Sequence, residues 1–407
     1  MPISRMRPFR DTISLDAARA IVDRSGEPIA RIERIPIEQA NGRVVARDVV
    51  ASTDVPPFSR AAMDGYAVRA ADTRGASRAN ARGLRHVSTL YTGQAPHVPV
   101  RNGECIEIAT GAPMPDGADA VVMVEETDCN PDGRVLIYVE VQPQQHVGRR
   151  GADVQSGQTM LAAGETLNPS RIGALAAVGA SMVEVYQRPR VAILSTGNEV
   201  VEPGRPLAPG QIYDVNRFTL GAVVADHGGI PVAYPAAPDT LDALVSTLEQ
   251  CLANDIVVFS GGSSVGERDL IVDALSARGE LLFHGISVKP GKPTGFGMVS
   301  GKPVFAMPGY PASCLTNAHI LLVPLLRRMA RLGPAPVRTV RVPLAERVVS
   351  ALNRHQFYTV RIVEGAAVPT FKASGDITSM SRADGYIEIP AEVGAVERGA
   401  LVTVTLF

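Results

Sequence analysis

"DIVVFSGGSSVGERD", residues 255–269, decides the fold. Ile256 to Phe259 form an uninterrupted apolar, β-branched-rich run that leads straight into Ser260-Gly261-Gly262-Ser263-Ser264. Such a run reads as a buried strand, and the glycines and serines behind it read as a loop able to cradle an anion. Yet Glu267 and Asp269 follow at once, and carboxylates repel phosphate. A ligand that combines a phosphate with a divalent cation reconciles the two. The carboxylates hold the metal, the metal bridges phosphate oxygens, and amides and lysines neutralise the rest.

Outward from this stretch the same texture repeats. "RVAILST" (190–196) is a strand, and "NRFTLGAVVADHGG" (216–229) a helix capped by Asn216 and closed by Gly228. "DTLDALVSTLEQCLA" (239–253) is a helix capped by Asp239, and "RDLIVDALSARG" (268–279) is another. "GISVKPG" (285–291) and "PVFAMPG" (303–309) read as further strands, the second feeding the helix "ASCLTNAHILLVPLLRRMA" (312–330). Repeated strand–helix units with buried strands imply a doubly wound, mainly parallel sheet. Ligands of such sheets sit beyond the carboxyl ends of the strands, where the strand order reverses.

The flanks differ. "SLDAARAIVDRS" (14–25) has helical spacing behind a Ser14 cap, with Gly26 at its end. Residues 30 to about 150 read as short strands broken by Gly, Pro and Asp-Gly turns, as in "VLIYVEV" (135–141) after "PDGR". "SRIGALAAVGA" (170–180) reads as a short helix behind Ser170. From Gly333 the chain returns to short strands, "VRTVRVPLA", "QFYTVRIV", "DGYIEIP" and "LVTVTLF", a spacing that suggests a small β-barrel or sandwich. The fold class is therefore multidomain α/β plus β.

Composition narrows the function. With 40 basic and 41 acidic residues in 407, the net charge of −1 argues against a nucleic-acid binder, and no tryptophan with only 5% aromatics argues against base stacking. The cysteines Cys105, Cys129, Cys251 and Cys314 lie far apart without a CxxC, so neither a disulfide framework nor a structural zinc site is expected. The N-terminus has no apolar signal region, and "ILLVPLL" (320–326) is too short to span a bilayer. A cytoplasmic protein with no membrane partner is expected.

Four polar loops leave strand ends of the α/β segment. They are Ser195-Thr196-Gly197-Asn198-Glu199, the opening stretch, "VKPGKPTGFG" (288–297) and "MPGYPAS" (307–313), which sets Ser313 at the start of a helix. Each has a plain structural reading: a tight turn for the Gly/Ser loop, a favourable helix-dipole position for Asp269, a solvated acid for Glu199. Lys289 and Lys292 in a Pro-Gly-Pro frame are harder to dismiss, because rigid prolines lower the entropy cost of holding two charges. No Gly-Lys-Ser/Thr follows the Gly/Ser loop, so it is not a Walker loop. His284 reads as structural. Elsewhere, "PPFSRAAMDGYAV" (56–68) reads alone as a hairpin turn, and "VGRRGADVQSG" (147–157) as a solvated connector with a local ion pair.

Together, "AMDGYAV", "ATGAPMPDGADAVVMVEE", "RRGADV", "LSTGNEVV" with "GQIYDVNRF", "SGGSSVGERD", "VKPGKPTGFG" and "MPGYPAS" resemble the molybdopterin molybdenumtransferase family, the bacterial MoeA and gephyrin E-domain type. They occur in the family's order from about residue 10 to the C-terminus. The resemblance implies a connecting domain (1–46 and 150–185), an inserted β-rich domain (47–149), a molybdopterin-binding α/β domain (186–332) and a C-terminal β-barrel (333–407). It also implies a homodimer with a shared active site and a reaction. Molybdate enters the dithiolene of adenylylated molybdopterin and AMP leaves, with Mg2+ or a similar divalent cation. Carried over, Asp64, Thr110, Asp153, Glu199, Asp239 and Asp269 are catalytic, with Glu199 and Asp269 on the metal. Thr196, Gly197, Gly261, Gly262, Ser263, Ser264, Lys289, Lys292, Pro308, Pro311 and Ser313 bind substrate. Three positions depart from the pattern: Tyr310 where Asn is usual, Gly285 where some members place lysine, and Thr359 where arginine is common. All three thin the field around an oxyanion. The alternatives are a non-catalytic molybdopterin-binding carrier or scaffold, and an adenylyltransferase, against which the long β-rich flanks weigh.

Overall fold

In the strand at Ile256–Ser260, alternate residues go to opposite cores. Ile256 and Val258 join one apolar cluster, and Val257 and Phe259 join another. The computed structural model describes residues 12–238, 240–261, 270–373 and 375–407. The chain divides into two units, residues up to Glu33 with Tyr186–Phe407, and Arg34–Val185.

The first unit is built on a six-stranded sheet of β1 (Arg190–Ser195), β2 (Ile230–Ala233), β3 (Ile256–Ser260), β4 (Glu280–His284), β5 (Gly295–Val299) and β6 (Lys302–Met307), in the order β2-β1-β3-β6-β5-β4. β2, β1, β3 and β6 are mutually parallel, and β5 runs antiparallel to both β6 and β4. The three central strands split their side chains by period two. Val191, Ile193, Phe305 and Met307 fall on the first face with Ile256 and Val258, while Ala192, Leu194, Val304 and Ala306 fall on the second.

Helices α1 (Leu15–Asp23) and α2 (Asn216–Asp226) and the helical stretch from Pro311 to Met329 cover the first face. α3 (Leu241–Cys251) and α4 (Leu270–Arg278) cover the second. The sheet is thus doubly wound. Fully burying one of its large apolar side chains contributes roughly 1.5–3 kcal/mol.

Local chemistry explains the helix ends, with some differences from the sequence reading. Ser14 caps α1 by accepting from Ala17 N at 3.2 Å, as expected. Asn216 is not a cap. It is the first helical residue of α2, and Asp214 Oδ1 accepts from Arg217 N at 3.1 Å instead. Thr240 caps α3, its hydroxyl accepting from Ala243 N; Asp239, the expected cap, lies outside the described residues. The stretch 312–330 is not one α-helix. It is α-helical over Pro311–Asn317, widens to a π-helix over Ala318–Leu322 and is α-helical again over Val323–Met329. Pro324 has no N–H to give to Ile320, and a widened turn is how a helix absorbs that loss.

"GISVKPG" is also not a strand of the α/β sheet. Only Val288–Lys289 is extended, and it pairs in parallel with His355–Val363 of the C-terminal sheet. That sheet runs Val288–Lys289, His355–Val363, Gly385–Ile389, Leu401–Leu406, Thr339–Pro343, with Ala366–Pro369 paired on His355–Val363. It encloses its own core of Val342, Leu344, Val360, Ile387, Ile389 and Val404.

The second unit holds a six-stranded sheet in the order Ala120–Met123, Gly65–Val68, Glu104–Ile108, Arg82–Leu90, Arg134–Ile137, Thr127–Cys129. Both of its faces bury apolar side chains, Tyr66 and Val68 on one, Ala67 and Ile106 on the other. Residues 56–68 do not form a hairpin, because Arg60–Ala61 pairs with Val147–Gly148 while Gly65–Val68 enters the six-stranded sheet. A further cluster in this unit gathers Ile35, Val45, Leu161, Leu175 and Val183 beside the helix Pro169–Ala177. Asn168 caps that helix in place of Ser170, with Pro169 at its first position.

Candidate active site

The sheet order places a reversal between β1 and β3. From β1 the chain moves outward to β2 through α2 on the first face. From β3 it moves the other way through α4 on the second face. Loops that diverge from neighbouring strands leave a crevice at their carboxyl ends, the usual ligand position in such folds.

Register shows what converges there. Ser195 lies opposite Ser260, Ser260 opposite Met307, Gly295 opposite Ala306, and His284 opposite Gly295. The loops after β1, β3 and β6, and the β4–β5 connection, therefore leave one edge of the sheet. Thr196, Gly197, Gly261, Lys289, Lys292, Pro308, Pro311 and Ser313 all lie on these segments. Gly262, Ser263, Ser264 and Asp269, together with Asp239, lie outside the described residues.

The loops touch at their roots. Thr196 N donates to Ser260 O at 2.9 Å, and Gly261 N to Met307 O at 3.2 Å. Gly261 has φ +105, and a Cβ there would lie 2.5 Å from Thr196 O. Only glycine fits. Gly197 (φ +130) leaves room for the Glu199 carboxylate, which would lie 2.6 Å from a Cβ at 197. Glu199 is thus exposed and folded back over its own loop. Lys289 is half-buried, with no carboxylate in ion-pair reach among the described residues.

Beneath the loops lies a layer of buried polar contacts that the sequence reading missed. Ser195 Oγ donates to Asp214 Oδ1 at 2.8 Å, and Arg217 closes over the same carboxylate at 3.7 Å. Asn216 Nδ2 donates to Ser260 Oγ at 2.6 Å and to Gly309 O at 2.8 Å. Asn317 does the same for the fourth loop, donating to Gly291 O and Thr294 Oγ1. Asp214 and Asn216 stand in "GQIYDVNRF", where the sequence singles out Asn216 alone, as a cap. Asn317 carried no signal. Among the described residues, Thr196 Oγ1 and Asn216 Oδ1 are buried without a hydrogen-bond partner. Such orphaned oxygens are uncommon in native interiors and suit a donor-bearing ligand or water.

The Cys314 thiol lies 3.8 Å from Ser260 Oγ, and burial pushes it up to about 12, so it supplies no thiolate. Tyr310 caps the helix at Pro311 as an exposed residue, with Gly375 of the C-terminal sheet region beside its ring. Gly285 has φ +102, which a lysine would adopt only at a cost of roughly 1–2 kcal/mol. Thr359 is buried in the C-terminal sheet and lines a cavity with room for about one water, alongside Thr316, His319, Phe357, Tyr386 and Phe407.

In the second unit, Asp64 Oδ1 accepts from Thr110 N at 2.7 Å, which brings two of the expected residues together across 46 positions. Both are exposed. Gly65 follows because a Cβ there would overlap the Val122 carbonyl. Asp153 is exposed, and its N–H donates to Val55 O. The expected ion pair in this connector joins Arg150 to Asp54 at 2.5 Å rather than to Asp153. The Ser156 N–H, and then Arg150, hold the Asp54 carboxyl below its usual range.

Residues 13–179 match the MoeA N-terminal region (domain I and II), 192–328 a probable molybdopterin binding domain, and 341–407 the MoeA C-terminal region (domain IV). Molybdopterin molybdenumtransferase 2 of Mycobacterium tuberculosis is 36% identical over 381 residues, 91% of this chain and 94% of that protein. The chain belongs to the molybdopterin molybdenumtransferase (MoeA) family. A molybdopterin molybdenumtransferase of Haemophilus influenzae is 31% identical over 97% of this chain and 98% of its own length. The crystal structure of the molybdopterin biosynthesis MoeA protein from Pyrococcus horikosii superposes with a TM-score of 0.85 at 40% identity, covering 97% of this chain and 99% of that one. Membership of the MoeA family makes the chain a transferase of molybdenum cofactor biosynthesis that handles molybdopterin. Among the described residues no helix is long and apolar enough to cross a membrane.

Proposed function

We propose that the loop cluster at the β1–β3 reversal binds adenylylated molybdopterin and molybdate. The enzyme inserts the metal into the dithiolene and releases AMP. The observation that carries this reading is the convergence of four polar loops, two lysines among them, on one sheet edge.

The roles follow from charge. Lys289 and Lys292 offset the two negative charges of molybdate, with Ser313, Pro308 and Pro311 shaping the pocket. The amides and hydroxyls of Thr196, Gly197 and residues 261–264 take the pyrophosphate, which joins the molybdopterin phosphate to AMP. Breaking the phosphoanhydride to AMP then needs charge stabilisation and a positioned nucleophile rather than a covalent enzyme intermediate.

The donor set fits a hard cation. Among the described residues no three His, Cys, Asp or Glu side chains gather into a metal group, and Glu199 offers one exposed carboxylate. Mg2+ accepts one or two carboxylates and completes its shell with water and phosphate oxygens. Glu199 and Asp269 would hold it, and when bound it would neutralise charge on the pyrophosphate. Asp64, Thr110, Asp153 and Asp239 act as further catalytic polar groups in a homodimer that shares its active sites. We assign 1–46 with 150–185, 47–149, 186–332 and 333–407 as its domains, the last a β-barrel.

The test is AMP release from adenylylated molybdopterin, with and without molybdate and Mg2+, for the wild type beside Glu199→Gln. Molybdate-stimulated, Mg2+-dependent release that collapses in the variant supports the reading. Tight binding with no release would overturn it. Mixing Asp64→Asn with Glu199→Gln subunits tests the shared site, since only a shared arrangement restores one intact centre.

A further inference from the structure

The β4–β5 connection is tied over Gly285–Lys289 to Ile13 and to the strand His355–Val363, and elsewhere to itself. Gly285 N donates to Thr294 O at 2.9 Å, and the Lys292 carbonyl accepts from both Ile286 N and Thr294 N. None of these bonds joins the Gly291–Thr294 part of the loop to the helix that carries Ser313. One buried side chain from the helix after β6 does. Asn317, fully buried, donates from Nδ2 to Gly291 O at 2.9 Å and to Thr294 Oγ1 at 2.6 Å. The Thr294 hydroxyl itself donates to Gly291 O at 2.9 Å, which closes a triangle of three hydrogen bonds. Gly291 sits between the two lysines with φ +102, and a Cβ there would overlap the Asn317 amide.

Asn317 is also the last α-helical residue before the π-helical turn at Ala318–Leu322, and it lies one turn beyond Ser313. The helix that carries Ser313 is therefore latched directly to the loop that carries Lys289 and Lys292. A buried amide is suited to this, because its two N–H groups can hold two acceptors at once in a fixed plane. Aspartate has no such donors.

We propose that Asn317 is a positioning residue that sets Lys289 and Lys292 against Ser313 and so fixes the affinity of the site for molybdate. This rests on the reading that these lysines receive molybdate. Asn317→Leu keeps the volume and removes both donors. Thr294→Val removes the hydroxyl corner of the triangle and stands in should Asn317→Leu not fold. Lys289→Gln and Lys292→Gln report on the lysines themselves.

The measurement is the molybdate KM in the AMP-release assay, set against the KM for adenylylated molybdopterin, the turnover at saturating molybdate and the thermal midpoint. The expected result is a rise of about tenfold to a hundredfold in the molybdate KM for Asn317→Leu. A smaller rise is expected for Thr294→Val, with the organic substrate's KM within about twofold of wild type. If the lysine variants raise the molybdate KM and neither latch variant does, the inference is overturned while the lysine reading stands. If the lysine variants leave it unchanged, the lysine reading fails and the inference falls with it. A loss of midpoint and turnover with both KM values unmoved would make Asn317 merely structural, which also overturns the proposal.

Discussion

The Asn216 amide lies 2.6 Å from the Ser260 hydroxyl and 2.8 Å from the Gly309 carbonyl, so one residue at the start of α2 holds the roots of two site loops. Ser260 closes β3 and Gly309 follows β6, strands that are neighbours in the sheet. Removing the amide should loosen both loops at once. Asn216→Ala is expected to cost about 1–3 kcal/mol in denaturant unfolding through the buried acceptors it abandons. It should also lower kcat/KM by roughly a hundredfold through misplacement. A variant with full activity would show that the loops are held without it.

Gly261→Ala tests the crevice. Its methyl group would lie 2.5 Å from Thr196 O in a left-handed backbone conformation. The expected outcome is destabilisation by more than about 1 kcal/mol with loss of AMP release, read by urea titration and the AMP assay together. A neutral outcome would mean that the β1 and β3 loops can separate freely.

Asp64 separates geometry from charge. Its Oδ1 accepts from Thr110 N at 2.7 Å, a bond that asparagine can also accept. Asp64→Asn is therefore expected to retain the wild-type melting temperature and to lose AMP release. Asp64→Ala should lose about 1 kcal/mol of stability in addition. Equal melting losses for both variants would show that charge, not the hydrogen bond, holds this turn.

The four cysteines should differ sharply in reactivity. Burial pushes the thiols of Cys105, Cys251 and Cys314 up to about 12, whereas Cys129 is exposed. Thiolate is the nucleophile, so the native protein at pH 8 should titrate one thiol with a maleimide or disulfide reagent, and Cys129→Ser should abolish it. Fast reaction of a second thiol would reveal local opening.

Acid sensitivity should arise at a histidine pair away from the loops. The rings of His227 and His319 lie 6.0 Å apart, and burial, followed by Arg327 for the first and by His227 for the second, lowers both below the ordinary histidine value of 6.5. A base whose folded pKa is depressed binds more protons when unfolded. It costs nothing above the unfolded pKa, destabilises as pH falls through about 6.5, and levels off below the folded pKa. The thermal midpoint should drop between pH 7 and pH 5, and His319→Gln should flatten that drop. An identical profile in the variant would place the acid response elsewhere.

Much of this protein is legible in its amino-acid sequence. Local sequence by itself determined the buried strands 190–195, 256–260 and 302–307, because apolar runs act over a few positions. Where two elements compete for one segment, sequence could not decide. Val288–Lys289 is as extended as any strand, yet its partner is His355–Val363 rather than the neighbouring β4 or β5, a choice made by pairing between distant segments.

The same limit hid Asp214, Asn216 and Asn317. A polar residue at a helix start looks like a cap, and one in mid-helix looks unremarkable, until the sheet brings Ser195, Ser260 and Gly291 within reach. Motif content and strand texture are local and can be read along the chain. Register, the reversal between β1 and β3, and the buried amides that aim the loops depend on contacts between remote segments, and only the tertiary structure decided them.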